Sequence, residues 1–495
     1  MTAPVHAGRS VAWLVLGKGA YFVMSFVVTA LFARLLSPAE FGLMAIALLT
    51  MGLPIALFEG AIGVEVIRKQ DLTDRDLSSS FWTSVVLGGL LYLALYVLAP
   101  WVAMFFRQTE LVPLIRLVAL AVLFRASESA PLALLQREGR HKWVAVFTTL
   151  AYFTGYCVVG LTMAWLHFGV TSMGVAVVVT ALVEAALVLG AAGPRRFLSR
   201  MVLRDSAKVA GESLMLTLAQ ALNWLANSGS NIVTGRLLGV LELGLYARAW
   251  KLLDLSANAM GGPLRQVLLP MFAAARGDRD RLRLEFLDTL KTAIWLFVLV
   301  SAWLVGNAQG IVLLALGDKW SAAVAIVIPL FATVLPRCAF KVTEAMAVAM
   351  GERGRQALKQ AIYAALTVGL AAVGANWGPV GVALGVSAAI SIFYAISLWH
   401  AGHVAGVPFG RLLLLHLVPM ALGALLAWSF MHGTALAVQH WGRLLGLSLG
   451  AATSGAALLA AFMLAPARVC GAQSVRFRSS FTQRLAGPLR GSRLP

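Results

Sequence analysis

Charge is scarce in this chain. Only 12% of its 495 residues are Asp, Glu, Lys or Arg, against about 25% in soluble domains. Hydrophobic residues make up 60%, and the mean hydropathy is +0.84. A water-soluble fold of this composition would lack polar side chains to cover its surface, so lipid is read as the solvent. Cysteine is nearly missing too. Cys157, Cys338 and Cys470 are scattered, and two of them lie in apolar runs. That excludes a disulfide framework and offers no metal-ligand spacing. The eight histidines are dispersed, and there is no P-loop and no nucleophile elbow. No metal site, cofactor or catalytic residue is expected. The first apolar run starts near Val11, holds Lys18 at its middle and precedes no small-residue cleavage site, so no cleavable signal peptide is expected. Long loops are absent: none exceeds about 25 residues. A folded catalytic or receptor domain outside the membrane is therefore not expected.

What the chain has is apolar stretches near the bilayer-crossing length of about 20 residues. They run over 11–33, 40–64, 79–105, 113–135, 143–166, 170–193, 213–234, 242–268, 291–316, 323–350, 358–376, 380–401, 411–432 and 443–465. The expected class is an all-α polytopic membrane protein of about fourteen helices. The net charge of +19 follows the connections. Alternate loops hold Arg68, Lys69 and Arg75; Arg137, Arg140 and Lys142; Arg195, Arg196 and Arg200; and Arg276, Arg279, Arg281 and Arg283. The tail adds Arg468, Arg476, Arg478, Arg484, Arg490 and Arg493. The opposite loops hold little beyond Arg34, Arg107, Arg236, Lys319 and Arg443. The positive-inside rule puts both termini in the cytoplasm. The basic excess is then a topology signal, with contact to anionic lipid a secondary reading and no nucleic acid expected.

A repeat organises these helices. Residues 33–47, ARLLSPAEFGLMAIA, match residues 235–249, GRLLGVLELGLYARA, at 8 of 15 positions without a gap. The offset of 202 residues spans six helices, an even number, so both copies enter the membrane in the same direction. Such parallel repeats are related by an axis along the membrane normal and occur in transporters. A weaker echo pairs Gln136-Arg-Glu-Gly-Arg140 with Gly351-Glu-Arg-Gly-Arg355. The expected division is a six-helix lobe over 1–200, a second over 201–404, two added helices over 405–466 and a basic cytoplasmic tail over 467–495. The motif itself is read as a hairpin joining the first two helices of each lobe.

Charges inside the spans are the candidate site, because each costs at least ~2.5–3.5 kcal/mol at the bilayer centre. The bases are Lys18, Arg125, Arg248, Lys251, Arg337 and Lys341, read as a cationic cavity; Arg265 also falls within a span, near its end. The acids are Glu59, Glu128, Glu184, Asp254 and Glu344, read as coupling groups or charge partners. Asn223, Asn227, Asn231 and Asn258 are candidate glycan contacts, though such stripes also glue helices together. Arg125/Glu128, Lys251/Asp254 and Lys341/Glu344 are each a base followed by an acid at i+3. Two readings stay open for those six residues: a substrate cavity, or internal neutralisation that only holds helices. Lys18, Arg248, Arg265 and Arg337 are left as a basic excess. An anionic substrate fits it, above all a phosphate or diphosphate that Arg grips with two parallel hydrogen bonds.

Ala33-Arg-Leu-Leu-Ser-Pro-Ala-Glu-Phe-Gly42, Leu134-Leu-Gln-Arg-Glu-Gly-Arg140 and Gly235-Arg-Leu-Leu-Gly-Val-Leu-Glu-Leu-Gly-Leu-Tyr246 resemble the connectors of Wzx-type bacterial polysaccharide exporters. These belong to the multidrug/oligosaccharidyl-lipid/polysaccharide superfamily, and the likeness runs from residue 10 to about 465. The resemblance implies two MATE-like six-helix lobes in a V. It implies flipping of an undecaprenyl-diphosphate-linked oligosaccharide across a bacterial inner membrane by alternating access. A proton or sodium gradient is a candidate driving force, and a polysaccharide polymerase with its chain-length machinery are candidate partners. The alternative is a cation-coupled multidrug exporter of the same fold, to which Glu59, Glu128 and Glu184 would be suited. A membrane enzyme would need a large extracytoplasmic loop, and none is expected.

Overall fold

The computed structural model describes residues 24–57, 66, 72–197, 221–351 and 354–464. These are helical, with no strand among the described residues, and each of the fourteen expected stretches contains a helix. The chain forms two compact units, Met1–Ala247 and Arg248–Pro495.

The first unit holds α1 (Met24–Leu35), α2 (Pro38–Leu57), α3 (Asp74–Phe106), α4 (Leu111–Arg137), α5 (His141–Trp165), α6 (Val170–Ala192), α7 (221–237) and the start of α8 (Val240–Ala274). Local sequence explains the helix starts. Ser37 and Glu40 form a capping box ahead of α2: the Ser37 N–H donates to Glu40 Oε2 (2.7 Å), and the Glu40 N–H donates to Ser37 Oγ (3.4 Å). Pro38 sits at the first helical position, where its missing N–H costs nothing. Thr73 and Asp76 make the same box at α3. The basic connector after α4 is a clasp. Arg137 donates to the Val66 carbonyl (2.9 Å) and Arg140 to the Ala191 carbonyl at the end of α6 (2.9 Å). Glu138 takes an ion pair from Arg196 (3.2 Å). Beneath the clasp lies a core of Leu77, Phe81, Ala130, Leu134, Leu135, Val188 and Phe197.

The two copies of the repeated motif touch. A Cβ on Gly42 would overlap the Val240 carbonyl oxygen and lie 3.2 Å from the Gly244 nitrogen. A Cβ on Gly244 would overlap the Pro38 carbonyl oxygen and lie 3.1 Å from the Gly42 nitrogen. Only glycine permits this backbone approach.

The second unit continues α8 and adds α9 (Arg279–Gly306), a short helix (Ala308–Leu316), α10 (Ala323–Ala349), α11 (Gly354–Gly374), α12 (Gly378–Ala405), α13 (Phe409–Trp441) and α14 (Arg443–Leu464). Two expected stretches are interrupted: 323–350 at Thr333, and 291–316 at Asn307. Residues 291–316 are not one helix: α9 begins at Arg279, behind an Asp278 cap, and stops at Asn307. The Asn307 side chain donates to the Trp303 carbonyl and to Ser454 Oγ (2.9 and 3.1 Å), the local competition that disfavours helix continuation. The added pair α13–α14 is held by that bond, by Trp303 Nε1 donating to the Ala451 carbonyl (3.1 Å), and by Tyr394–His416 (2.9 Å).

Large apolar side chains point outward throughout: Trp101, Met104, Trp377, Leu414 and Val418 are each more than half exposed. Seven helices are by themselves long and apolar enough to cross a membrane, counting the described residues alone. This is a multi-pass membrane protein.

Candidate functional site

The second unit builds its charged site around a break in α10. Pro329 and Pro336 flank Thr333, where the helix is interrupted. Pro336 has no N–H to continue the ladder. The Thr333 N–H turns to the Leu330 carbonyl (2.9 Å), a tighter i→i+3 bond. The groups this frees are met from neighbouring helices. Ser387 Oγ of α12 donates to the Pro329 carbonyl (2.9 Å), and the Leu335 N–H donates to Ser301 Oγ of α9 (3.1 Å). Non-helical backbone survives at membrane depth only when buried in protein or facing a cavity, and here it is buried among helices. Arg337 follows within one turn.

Arg337 reaches α8. Its Nη2 donates to Asp254 Oδ1 (2.8 Å), and its guanidinium carbon lies 4.8 Å from the centre of the Trp250 ring. Nη1 is buried without a hydrogen-bond partner among the described residues, so the fork keeps donor capacity beyond Asp254. One turn on, Lys341 Nζ pairs with Glu344 (3.0 Å) and lies 5.3 Å from the Phe340 ring centre. Phe340 packs on Phe393 (4.9 Å), which stacks on Tyr363 (4.6 Å). Lys251 is exposed and Arg248 half-buried on the same stretch of α8.

The first unit builds a different site. Arg125 Nη1 of α4 lies 2.6 Å from Glu128 and 2.9 Å from Glu184 of α6. Thr148 of α5 donates to the second Glu184 oxygen (2.7 Å). Glu128 and Glu184 are 3% and 4% exposed. One guanidinium thus ties α4 to α6, with α5 joined through Thr148.

Two of the three base–acid pairs expected at i+3 are ion pairs. The third is corrected: Asp254 pairs with Arg337 across helices rather than with Lys251 along its own. Arg337 therefore does not belong to a basic excess. Arg248 and Lys251 lie on the same stretch of α8 as Asp254, which Arg337 engages. Arg125 is likewise matched, between two carboxylates rather than beside an open anion site. Asn227 Nδ2 donates to Asn223 Oδ1 along α7 (3.2 Å), and Asn231 Oδ1 is buried without a hydrogen-bond partner among the described residues. This stripe lies in the first unit. Lys18 and Glu59 lie outside the described residues, and so do the side chains of Asn258 and Arg265. Trp250, Phe340, Tyr363 and Phe393 are the residues that sequence reasoning missed. A signal existed for Trp250, which precedes Asp254 by four and shares its helix face.

Residues 31–325 match the family described as polysaccharide biosynthesis protein. The chain belongs to that family. Among curated proteins it is similar to the succinoglycan biosynthesis transport protein ExoT of Rhizobium meliloti (strain 1021), 26% identical over 329 residues, 65% of this chain and 66% of ExoT. It is also similar to the lipopolysaccharide biosynthesis protein WzxC of Escherichia coli K12, 25% identical over 303 residues, 59% of this chain and 60% of WzxC. The match thus spans just under two thirds of these relatives' length. The fold of this polysaccharide biosynthesis family member is that of the lipid II flippase MurJ in an inward closed conformation. The TM-score is 0.71 at 13% identity, covering 91% of this chain and 98% of MurJ. An inward-facing multidrug resistance MATE transporter of the MOP superfamily has the same fold (TM-score 0.63, 17% identity, 78% and 94% covered).

Proposed function

We propose that this protein flips a lipid-linked oligosaccharide, carried on undecaprenyl diphosphate, from the cytoplasmic to the periplasmic leaflet of a bacterial inner membrane by alternating access. The observation that carries the reading is the charge on α8 and α10. Arg248, Lys251, Arg337 and Lys341 stand there against Asp254 and Glu344, beside an aromatic floor. Arg337 retains a buried donor for a phosphate oxygen, and Trp250 and Phe340 offer apolar faces next to cations, suited to a glycan attached to a diphosphate. Family membership and the flippase-type fold support the same activity. The protein is a carrier and not an enzyme. In this reading the six-helix lobes span 1–200 and 201–404, with 405–466 an addition and 467–495 a basic tail. Both termini are cytoplasmic, in keeping with the clasp residues Arg137, Arg140 and Arg196, and a polymerase receives the flipped unit.

Deleting the gene should abolish one surface polysaccharide and leave its lipid-linked repeat unit on the cytoplasmic side. Normal glycan export in the deletion strain sinks the proposal. The second reading, a cation-coupled exporter of cationic drugs, is favoured by one feature: the two buried carboxylates Glu128 and Glu184 share one described guanidinium, Arg125. It requires that deletion raise drug sensitivity, and unchanged sensitivity removes it. A proton or sodium gradient could energise either activity through this triad.

A further inference from the structure

The carbonyl of Tyr96 in α3 lacks its helical donor. That donor would be the N–H of the residue four positions on, and this residue is Pro100. The carbonyl is met from α4 instead. Arg116 Nε donates to it (3.4 Å), and the Arg116 guanidinium carbon lies 4.2 Å from the centre of the Tyr96 ring. Tyr92, one turn back, packs on Tyr96 with 6.1 Å between ring centres. A guanidinium carries five N–H groups, and this bond uses the one on Nε. The four on Nη1 and Nη2 remain beyond it.

The surroundings face lipid. Only 11% of the apolar stretch of α3 is buried, against 56% in α9. Leu93, Val97 and Trp101, around the Tyr96 turn, are 55%, 58% and 65% exposed. The depth follows from helix length. With 33 residues, α3 is about 50 Å long. Centred on a hydrocarbon layer of ~30 Å, it projects about 10 Å at either end. Tyr96 lies about 15 Å before the last residue, Phe106, hence about 5 Å inside the apolar layer. The start of α3 lies beneath the clasp, so this end belongs to the opposite leaflet. An arginine at that depth is accommodated by headgroups and water drawn inward. Tyrosine and tryptophan rings favour the same interface. Because Tyr96 tethers the guanidinium, the headgroup comes to Arg116 rather than the reverse.

We propose that Arg116, held on Tyr96, is a binding site for the phosphate of an anionic glycerophospholipid in the leaflet opposite the clasp. One guanidinium matches the single negative charge of a phosphodiester, which its Nη groups can grip with two parallel hydrogen bonds. A diphosphate carries more charge and suits the several bases of α8 and α10. A zwitterionic headgroup brings its own ammonium, which competes with Arg116 for the phosphate. Neither flipping nor membrane orientation is needed for this site; in the orientation proposed above, it lies in the periplasmic leaflet.

Photo-crosslinking of the full-length protein in lipid nanodiscs tests the site. Phosphatidylglycerol bearing a diazirine in its headgroup should label residues within 92–101 and 111–117, located by peptide mass spectrometry. Arg116→Gln should lower this labelling roughly fivefold or more, and Arg116→Lys should lower it less. Arg443→Gln, at an exposed arginine paired with Asp318, should leave it unchanged. Unlabelled phosphatidylglycerol should compete. Equal competition by phosphatidylethanolamine, or stronger competition by undecaprenyl diphosphate or inorganic phosphate, overturns the assignment to an anionic phospholipid. The alternative is that Arg116 only closes the Tyr96 carbonyl. Pro100→Ala supplies the missing N–H and separates the two roles: in that background Arg116→Gln should leave the melting temperature unchanged yet still lose the label. Labelling of Arg116→Gln at the parent level, with only its melting temperature lowered, overturns the site. Should Arg116→Gln fail to fold alone, the Pro100→Ala background and the unsubstituted protein decide, and absence of label from both segments of the latter overturns it. Labelling is read without transport, so failure of the flippase reading would leave this result standing.

Discussion

Helix α2 carries Ile46, Leu49 and Gly52 where α8, 202 residues on, carries Arg248, Lys251 and Asp254. Both helices begin with the same motif, and their first turns meet on one axis. Beyond that turn they diverge. Ile46 is fully buried and Gly52 is pressed to Trp224, so the α2 face is a packing surface. The corresponding face of α8 is charged, and Asp254 reaches α10 through Arg337. The charged pairs of α4 and α10 diverge as well. Arg125–Glu128 on α4 and Lys341–Glu344 on α10 are both i,i+3 ion pairs. The first is completed by a second buried carboxylate, and the second lies beside further bases. Among the described residues, acids outnumber bases in the first cluster, and bases outnumber acids in the second. The duplicated frame has been kept, while the electrostatics of its two copies have been driven to opposite signs.

The contrast can be broken most severely at Arg125. Arg125→Gln leaves Glu128 and Glu184 buried without their counter-charge, and removing one partner of a buried pair costs ~3–5 kcal/mol. The variant should fail to accumulate in membranes, and adding Glu184→Gln should restore part of its abundance. If Arg125→Gln is instead abundant and merely inactive, the first-unit cluster works in transport, and the contrast between a structural and a functional cluster disappears.

The second unit should respond the opposite way. Neutralising Arg248, Arg337 and Lys341 together to Gln should lower flipping at least tenfold, with membrane abundance within twofold of the parent. Immunoblots and the amount of lipid-linked intermediate give the two readings. Full activity in the triple variant would make both clusters structural.

Asp254→Asn sharpens the comparison. Asp254 occupies one side of the Arg337 fork that a diphosphate would use, so its neutralisation should tighten binding of undecaprenyl diphosphate about fivefold, near 1 kcal/mol. Titration calorimetry on the purified protein measures this. Unchanged or weaker binding would show that Arg337 does not grip the ligand.

The smallest effect belongs to the shared motif. Ser37→Ala removes the cap of α2 at a cost of about 1 kcal/mol, seen as a melting temperature lowered by a few degrees. A larger loss would mean that Ser37 does more than cap its helix.

The membrane class, the helix positions and the repeat were legible because each depends on local pattern: apolar run length and fifteen consecutive residues written twice. The capping box was written in Ser37-Pro-Ala-Glu40. The charged pairs were legible only along single helices. Periodicity could link Lys341 to Glu344, but it had no means of linking Arg337 to Asp254, 83 residues away, or Arg125 to Glu184. The break at Thr333 was hinted at by Pro329 and Pro336. That Ser387 and Ser301 would meet its freed backbone groups depended on packing between helices, which no spacing encodes. The aromatic floor was missed for the same reason, since Tyr363 and Phe393 come from separate helices.

The glycine crossing bears on the history of the chain. When two identical half-length subunits associate around a twofold axis, a residue on that axis meets its own copy. One codon then specifies both sides of the contact, and any side chain placed there is felt twice. Gene fusion frees the two codons to drift apart, as Ile46 and Arg248 have done. Position 42 and its partner 244 have not. The contact still has the form of a homodimer interface, carried inside a single polypeptide.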